Sequence, residues 1–382
     1  MNDEPFIIDS GTLYANPHPA DWAINAYYSR IIEMTPDELL CIYRRAAAMY
    51  ADDGRSYVLR SRDNGSTWID EGCVYDGAGD ETHYSYSATN ITKLRDGTLV
   101  LTGLRVHRPE ADMPVYNAVT RGSVRHESVW FRSSDRGRTW TGPRVIEKTD
   151  RPYLKAYGAV VELNDGRWLI PFDRGKVWDD PEPLHQYVVG LISSNRGETW
   201  HEQVRIAGGP DSERSFWHAR VIKLNDDRLM AFAWTGDREA TRFLPLHRIV
   251  GDRDGRHWGR PQPVGIRGQT NHAVDLGNGR MAIVVTIRES DHPGIYVALS
   301  DDEGLHWRDA SMVRIWDAYG QESLGVPRTE TYPASHDHIA FGAPDAVRLY
   351  NGDIMTSFWC SQQGQIVCRW CRLRLRTGTA SQ

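Results

Sequence analysis

The stretch SRDNGSTW at residues 61–68 decides the fold, because it recurs along the chain with its serine, acidic residue, glycine and tryptophan at constant spacing. Close copies are SSDRGRTW at 133–140, SSNRGETW at 193–200 and SDDEGLHW at 300–307, and a degenerate copy, GDRDGRHW, covers 251–258. The short acidic or amide side chain can accept hydrogen bonds from turn amides, and glycine accepts the positive φ of a tight turn. The octapeptide therefore predicts a repeated β-hairpin rather than a set of catalytic aspartates.

A second repeat runs out of phase with the octapeptide. Six segments pair two short β-rich runs across a turn rich in Asp, Asn and Gly, as VVELNDGRWLIPF does at 160–172, and this pattern indicates a hairpin. Their equivalent apolar positions, the hairpin anchors, are Met34, Leu94, Leu163, Leu224, Leu276 and Leu349. Six such hairpins interleaved with five octapeptide hairpins predict an all-β fold, a six-bladed β-propeller of four-stranded antiparallel blades. A seven-bladed ring is the alternative.

The last blade lacks an octapeptide of its own. We expect the amino-terminal strand near Pro5–Asp9 to supply its outer strand, beside Gln365–Leu375, so that the ring closes and leaves only short edges. No internal stretch has the composition of a Pro/Gly/Ser-rich linker. Residues 1–382 are therefore expected to form a single propeller domain.

Composition argues against several classes of function. The formal net charge of −6 offers no basic surface for nucleic acid. No apolar run approaches the roughly 18 residues of a transmembrane helix, so a membrane partner is not expected. The amino terminus, MNDEPFIIDSG, lacks the basic and apolar stretches of a signal peptide, which favours a cytoplasmic location.

Metal and cofactor sites are not expected. The five cysteines are an odd, sparse set, unlike a disulfide framework. Cys368 and Cys371 form a CxxC on a predicted strand, where residues three apart point to opposite faces and cannot easily grip one ion. His336 and His338 flank an aspartate, but no third and fourth ligand accompany them.

The octapeptides, known as Asp boxes or BNR repeats, and the hairpin series together resemble the sialidase (neuraminidase) superfamily of six-bladed propellers. The resemblance covers nearly the whole chain. It implies a glycoside hydrolase with an arginine triad for the substrate carboxylate, an acid/base aspartate in the first blade, and a tyrosine nucleophile assisted by a glutamate.

Only part of that set transfers to this chain. Arg30 lies near the place of the first arginine, and Asp53, with Asp52 before it, lies near the place of the aspartate; a plain Asp-Gly turn is the alternative reading of Asp53. Ala343 stands where the tyrosine is expected, and His218 stands where the glutamate is expected. A strict sialidase is therefore not predicted.

The channel mouth can also be predicted from the repeat itself. Inner strands present alternate residues to the channel, so the residues six and four positions before each anchor should converge there. These are Tyr28 and Arg30, Ala88 and Asn90, Tyr157 and Ala159, His218 and Arg220, Thr270 and His272, and Ala343 and Asp345. The far ends of the paired strands add Asp173 and Arg288, among others.

These residues suggest roles in a sugar site. Arginine binds a carboxylate through two parallel hydrogen bonds. Arg30, Arg220 and Arg288 are therefore predicted to bind the substrate carboxylate together, as an arginine clamp. Tyr157 and His218 are the predicted nucleophile and base, and Asp53 or Asp345 is the predicted acid. The predicted substrate contacts are completed by Tyr28, Asn90 and His272.

Three functions follow from this reading, all with a carbohydrate as the partner. The first is an exo-acting glycoside hydrolase that removes an acidic or polar terminal sugar. The second is a polysaccharide lyase acting on a uronic acid, with arginine neutralising the carboxylate while His218 or Tyr157 removes the adjacent proton. The third is a non-catalytic glycan-binding propeller.

Overall fold

The computed structural model describes residues 4–108, 110, 113–146, 154–318 and 339–376. Within these ranges the chain forms six antiparallel sheets, and in five of them the strands follow in sequence order from the centre outward, whereas the first strand of the chain lies at the outer edge of the sixth. The one short 3-10 helix of the described part is Asp309–Ser311. The architecture is a six-bladed β-propeller, as the two interleaved repeats predict.

The strands are numbered in chain order and grouped by blade. Blade 1 contains β2 (Asn25–Thr35), β3 (Glu38–Ala46), β4 (Arg55–Ser61) and β5 (Ile69–Cys73), and blade 2 contains β6 (Tyr84–Lys93), β7 (Leu99–His107), β8 (His126–Ser133) and β9 (Thr141–Val145). Blade 3 contains β10 (Leu154–Ala156), β11 (Val161–Glu162), β12 (Trp168–Arg174), β13 (Val188–Ser193) and β14 (Glu202–Ala207). Blade 4 contains β15 (Arg214–Lys223), β16 (Leu229–Asp237), β17 (Phe243–Gly251) and β18 (Gln262–Pro263). Blade 5 contains β19 (Asn271–Gly277), β20 (Arg280–Ile287), β21 (Gly294–Ser300) and β22 (Val313–Asp317). Blade 6 contains β23 (Phe341–Arg348), β24 (Ile354–Gln362), β25 (Gln365–Arg376) and β1 (Glu4–Tyr14).

The ring closes through the amino-terminal strand. β1 runs antiparallel to β25, with Pro5 opposite Leu375 and Tyr14 opposite Cys368. The outer strand of blade 6 is therefore supplied by the start of the chain, as predicted.

The hydrophobic core is divided into six layers, one between each pair of neighbouring blades. The hairpin anchors pack into these layers, and each reaches a different one. Cys368 lies in the layer between blades 6 and 1, whereas Cys371 lies in the layer between blades 5 and 6. The two cysteines thus face opposite sides of β25, as the strand period predicts.

The octapeptides form the turns between the third and fourth strands of their blades. In the first copy, Asp63 Oδ1 accepts from the Thr67 amide at 2.9 Å, Gly65 has a φ of +96°, and Trp68 Nε1 donates to the Gly65 carbonyl at 3.0 Å. In the degenerate copy, Asp252 accepts from the Arg256 amide at 2.9 Å and so takes the place of the missing aspartate. These aspartates hold turns, as predicted.

A ring of charged side chains, here called the clasp ring, ties each blade to its predecessor. It occupies the position directly before each hairpin anchor, and its members are Glu33, Lys93, Glu162, Lys223, Asp275 and Arg348. The acids belong to blades 1, 3 and 5, and the bases belong to blades 2, 4 and 6. Charge therefore alternates around the ring.

The two kinds of member act differently. Each acid accepts from a turn amide of the preceding blade: Glu33 from Tyr350 at 2.7 Å, Glu162 from Arg95 at 2.8 Å, and Asp275 from Asn225 at 2.7 Å. Each base donates to an oxygen of the preceding blade: Lys93 to the Glu33 carbonyl at 2.8 Å, Lys223 to Asn164 Oδ1 at 3.2 Å, and Arg348 to the Leu276 carbonyl at 3.1 Å. All six blade interfaces are bridged in this way.

Candidate functional site

Two cavities lie between the inner strands of the described blades. The upper cavity, about 160 Å3, is at the beginnings of these strands and is lined by residues that include Tyr28, Arg30, Asn90, Tyr157, His218, Arg220 and Arg288. The lower cavity, about 760 Å3, is at their other ends and is lined by residues that include His272, Asp345 and five members of the clasp ring. Arg30 and Arg220 line both cavities and therefore belong to the partition between them.

The partition is a buried ion network around Asp345. Asp345 Oδ1 lies 2.7 Å from Arg220 Nη2, 2.8 Å from His272 Nδ1 and 3.7 Å from Arg30 Nε. Burial alone would raise the pKa of Asp345, but the positive charges of its neighbours outweigh it and hold that pKa below the usual range. Asp345 is therefore ionised at neutral pH, and this carboxylate already neutralises part of the predicted arginine clamp.

His272 sits at the lower side of this network. Its Nδ1 lies within reach of both the Asp345 carboxylate and the Ala346 amide, which is 3.1 Å away. Burial lowers the pKa of His272, although the attraction of Asp345 opposes that shift. The predicted convergence of all these residues on one mouth is thus only partly observed, because His272 and Asp345 line the lower cavity.

The inner strands are irregular where they reach the upper cavity. The ladder register shifts between Tyr27 and Arg30 in β2, between Trp217 and Arg220 in β15, and between Gly342 and Asp345 in β23. A smaller shift occurs in β6, and blade 3 has a gap between β10 and β11. Such bulges often re-aim side chains beside active sites. The strict period of two used in the sequence argument fails at this level of the channel.

The bulged residues adopt a left-handed backbone. The φ angles are 58° for Tyr28, 52° for His218 and 47° for Ala343, and all three occupy the position six residues before a hairpin anchor. A non-glycine residue at positive φ costs on the order of 1–2 kcal/mol. The same strained conformation therefore recurs at equivalent points of three blades.

Tyr157 and His218 are in contact in the upper cavity. Their ring centroids are 4.6 Å apart, and the His218 ring stacks on Trp234 at 5.9 Å. Burial lowers the pKa of His218 to about 3, helped by the positive charges of Lys155 and Arg220. His218 is therefore a neutral imidazole at physiological pH, and an anionic ligand bound in the cavity would raise its pKa and make it a better proton acceptor. Burial also raises the pKa of Tyr28, which stays a neutral phenol.

The lining of the upper cavity is strongly cationic. It contains Arg30, Arg44, Lys155, Arg220 and Arg288, and none of its described residues is acidic. Arg44 is fixed by donation to three backbone carbonyls. Arg288 donates to the Phe341 carbonyl and to Gln269 Oε1 at 3.1 Å. The surplus of positive charge suits an anionic ligand.

The structure does not bring Asp53 into either cavity. Its side chain is exposed, and both carboxylate oxygens accept from the Ala47 amide, at 3.0 and 3.1 Å. This is the geometry of a loop-stabilising residue, the alternative that the sequence left open. His336 and His338 lie outside the described residues. Within the described ranges no group of three or more His, Cys, Asp or Glu could hold a metal ion, and no helix has the length and apolarity to span a membrane.

One wall of the upper cavity is formed by a segment that neither repeat predicts. The segment 113–125, here called the crossing segment, supplies Tyr116 to the lining and bridges to blade 3 through the pairing of Ser123 with Val177. A Cβ added to Gly122 would lie 1.9 Å from the Val177 carbonyl oxygen, so only glycine fits this crossing. The long interval between the anchors Leu94 and Leu163 was the available signal.

Comparison with known proteins places the chain among proteins of this architecture. A profile of the BNR repeat-like domain matches residues 113–314, more than half of the chain. The chain belongs to that family. A search of curated protein sequences gives no match to this BNR repeat-like protein.

Solved structures show the same fold at low sequence identity. A protein of unknown function from Dyadobacter fermentans superposes with a TM-score of 0.71 at 19% identity, covering 98% of this chain and 100% of its own. The α-L-arabinanase of Penicillium chrysogenum, complexed with arabinobiose, gives 0.63 at 15% identity, covering 96% and 98%. The NanB sialidase of Streptococcus pneumoniae gives 0.59 at 12% identity, covering 91% and 68%. At these identities the likeness shows a sialidase- and arabinanase-like propeller.

Proposed function

We propose that this protein is an exo-acting glycoside hydrolase that removes a terminal sugar carrying a carboxylate. The observation that carries the proposal is the convergence of cationic side chains, a neutral histidine and a contacting tyrosine on one enclosed cavity. Structural neighbours named as a sialidase and an arabinanase support a glycosidase. A cavity closed on one side by the crossing segment suits the end of a glycan.

The cationic side chains would recognise the sugar carboxylate. Arg30, Arg220 and Arg288 all line the upper cavity, and Lys155 adds a fourth charge. Because Asp345 offsets part of the charge of Arg30 and Arg220, the net positive charge available to a ligand comes largely from Arg44, Lys155 and Arg288. A substrate in which the carboxylate is reduced to an alcohol should therefore bind much more weakly.

Tyr157 and His218 would carry out the covalent step. The neutral His218 ring accepts the proton of the Tyr157 hydroxyl, and the phenolate oxygen attacks the anomeric carbon as the bond to the leaving oxygen breaks. Water then attacks the glycosyl-tyrosine and gives its proton to the hydroxide that formed when water protonated the leaving oxygen, and the proton on His218 returns to the tyrosine. A phenol is uncharged until this moment, so it is not repelled by the carboxylate of the sugar.

The leaving oxygen needs a proton as well. Asp345 is held ionised and Asp53 lies outside the cavity, so neither carboxyl proposed from the sequence is carried into this mechanism as the acid. In the proposed mechanism, the leaving oxygen takes its proton from water. The rate should then depend steeply on the acidity of the leaving alcohol.

A polysaccharide lyase is the second candidate. The same Tyr157–His218 contact could remove the proton beside a uronic acid carboxylate while cationic side chains stabilise the resulting charge. The bond to the leaving oxygen then breaks and a carbon–carbon double bond forms next to the carboxylate. Such a product absorbs in the ultraviolet, whereas a hydrolysis product does not.

The test is a substrate panel read in two ways. Aryl glycosides of nonulosonic and uronic acids, and uronic acid oligosaccharides, are incubated with the wild type, Tyr157→Phe, His218→Ala and the surface control Asp53→Asn. Hydrolysis predicts release of the aryl alcohol with loss of about 100-fold or more in the first two variants and little change in the third. An unsaturated product would instead support the lyase, and binding without any turnover would identify a glycan-binding protein.

A further inference from the structure

His218 is held in a strained position that needs support. It is the bulged residue of β15, with a φ of 52°, and the ladder register shifts across it. Strained residues persist only where the surrounding structure over-determines them. Contacts from outside β15 must therefore hold the backbone of His218 in this conformation.

The support comes from the neighbouring blade. Asp173, near the end of β12, accepts a hydrogen bond from the His218 amide at 2.7 Å. Asp173 is 3% exposed, and within the described residues this is its one side-chain hydrogen bond. Lys155 on β10 lies opposite Asp173 in the strand pairing. A buried carboxyl group directed at one backbone amide is an uncommon arrangement, because its burial is costly.

Blade 6 repeats the arrangement with a neutral side chain. The bulged residue there is Ala343, and its amide donates to Thr270 Oγ1 of blade 5 at 3.1 Å. In both blades a side chain from the preceding blade captures the amide of the bulged residue. Only in blade 4 does that residue carry a ring that contacts Tyr157.

We infer that Asp173 is the positioning residue for His218. By accepting from the His218 amide it holds the bulge, and the bulge keeps the imidazole against Tyr157 and Trp234. Asp173 does not line the upper cavity, so it acts on the substrate only through His218. The catalytic part of this inference rests on the proposed function, whereas the structural part does not.

The structural part is tested by hydrogen exchange without substrate. The His218 amide is followed by mass spectrometry of the 214–220 peptide and by NMR of protein with selectively labelled histidine. At pH 8 or above, where a carboxyl group with a pKa of about 7 is ionised, Asp173→Ala removes a charged acceptor and should speed exchange of this amide on the order of ten- to a hundredfold. Asp173→Asn keeps an acceptor oxygen and should stay within a few-fold of the wild type.

Controls separate positioning from general loss of stability. Thr270→Val removes the equivalent acceptor in blade 6 and should leave the His218 amide unchanged. If Asp173→Ala does not fold, Asp173→Ser, whose hydroxyl is shorter, replaces it. Unchanged protection of the His218 amide and an unchanged ring signal in Asp173→Ala or Asp173→Ser would overturn the inference.

The catalytic part is read from kinetics on any substrate found in the panel. Asp173→Ala should lower kcat by about 10- to 100-fold with little change in KM, because misplacement of a reacting group affects the chemical step. Asp173→Asn should recover most of the rate. Fast amide exchange in Asp173→Ala without any wild-type turnover would refute the proposed function and leave the positioning role standing.

Discussion

Asp173 and His218 should give opposite pH dependences of stability when each is removed. At pH 5 the unfolded chain carries an ionised Asp173 and a protonated His218, because their ordinary pKa values are about 3.9 and 6.5. Folding reverses this order: burial raises the pKa of Asp173 to about 7 and lowers the pKa of His218 to about 3. In both states the pair binds one proton, so it adds no pH dependence to the wild type.

When either residue is replaced, the proton binding of the other is no longer compensated and makes the stability depend on pH. The free energy of unfolding rises with pH wherever the unfolded state binds more protons than the folded state. In Asp173→Asn the unfolded state binds the extra proton on His218, so stability should rise between roughly pH 4.5 and 6 by about 1.4 kcal/mol per pH unit, or about 2 kcal/mol in all. In His218→Asn the folded state binds the extra proton on Asp173, so stability should fall by a similar amount.

Urea unfolding at several pH values across this window measures the effect. Each variant is compared with the wild type at the same pH, so contributions from all other groups cancel. Thr270→Val, which alters a bulge without removing a titratable group, should run parallel to the wild type. If the Asp173→Asn and His218→Asn curves also run parallel to it, the two groups do not have the protonation states derived from their burial.

Three further outcomes follow from the structure. Asp345→Ala should lower the free energy of unfolding by about 3–5 kcal/mol, because it leaves two buried guanidinium groups without their carboxylate. Added formate should restore part of this loss in urea titrations. An unchanged free energy of unfolding would show that the network is not buried. Gly122→Ala places a Cβ against the Val177 carbonyl oxygen and should detach the crossing segment from blade 3. Proteolysis at 113–125 should become faster with little change in Tm. Unchanged proteolysis would show that small local shifts relieve the clash. Glu33→Ala should lower the free energy of unfolding by about 1–3 kcal/mol, because it leaves the Tyr350 amide without its acceptor. Glu33→Gln keeps an acceptor oxygen and should recover most of this loss. Equal stability of the two variants in urea titrations would argue against a stabilising role of the clasp ring.

The fold could be predicted because its signals are local. Each octapeptide turn depends on hydrogen bonds within a few residues, such as Asp63 to Thr67, and the anchors Met34 to Leu349 repeat once per blade. The amino-terminal strand could also be predicted as the outer strand of blade 6, because the five octapeptide hairpins supply an outer strand to only five of the six blades. Hydrogen bonds within a turn are encoded by a few neighbouring residues, and the number of blades is encoded by how often such stretches recur.

The site could be predicted only in part, because its details depend on contacts between blades. The period of two identified Arg30, His218 and Arg220 as channel residues, but the bulges that aim them form only against the neighbouring strands. Nor does sequence show that Asp345 is neutralised by two arginines from other blades. Asp53 was judged by its position before an octapeptide, which does not reveal whether its loop turns toward the channel.

The alternation of charge in the clasp ring has a consequence of parity. Because blades with an acid alternate with blades with a base, the pattern returns to its starting sign only after an even number of blades. Deleting or duplicating one blade would bring two members of like sign together. Deleting or duplicating two adjacent blades would keep acids and bases alternating around the ring. The clasp ring therefore favours an even number of blades in any propeller engineered from this chain.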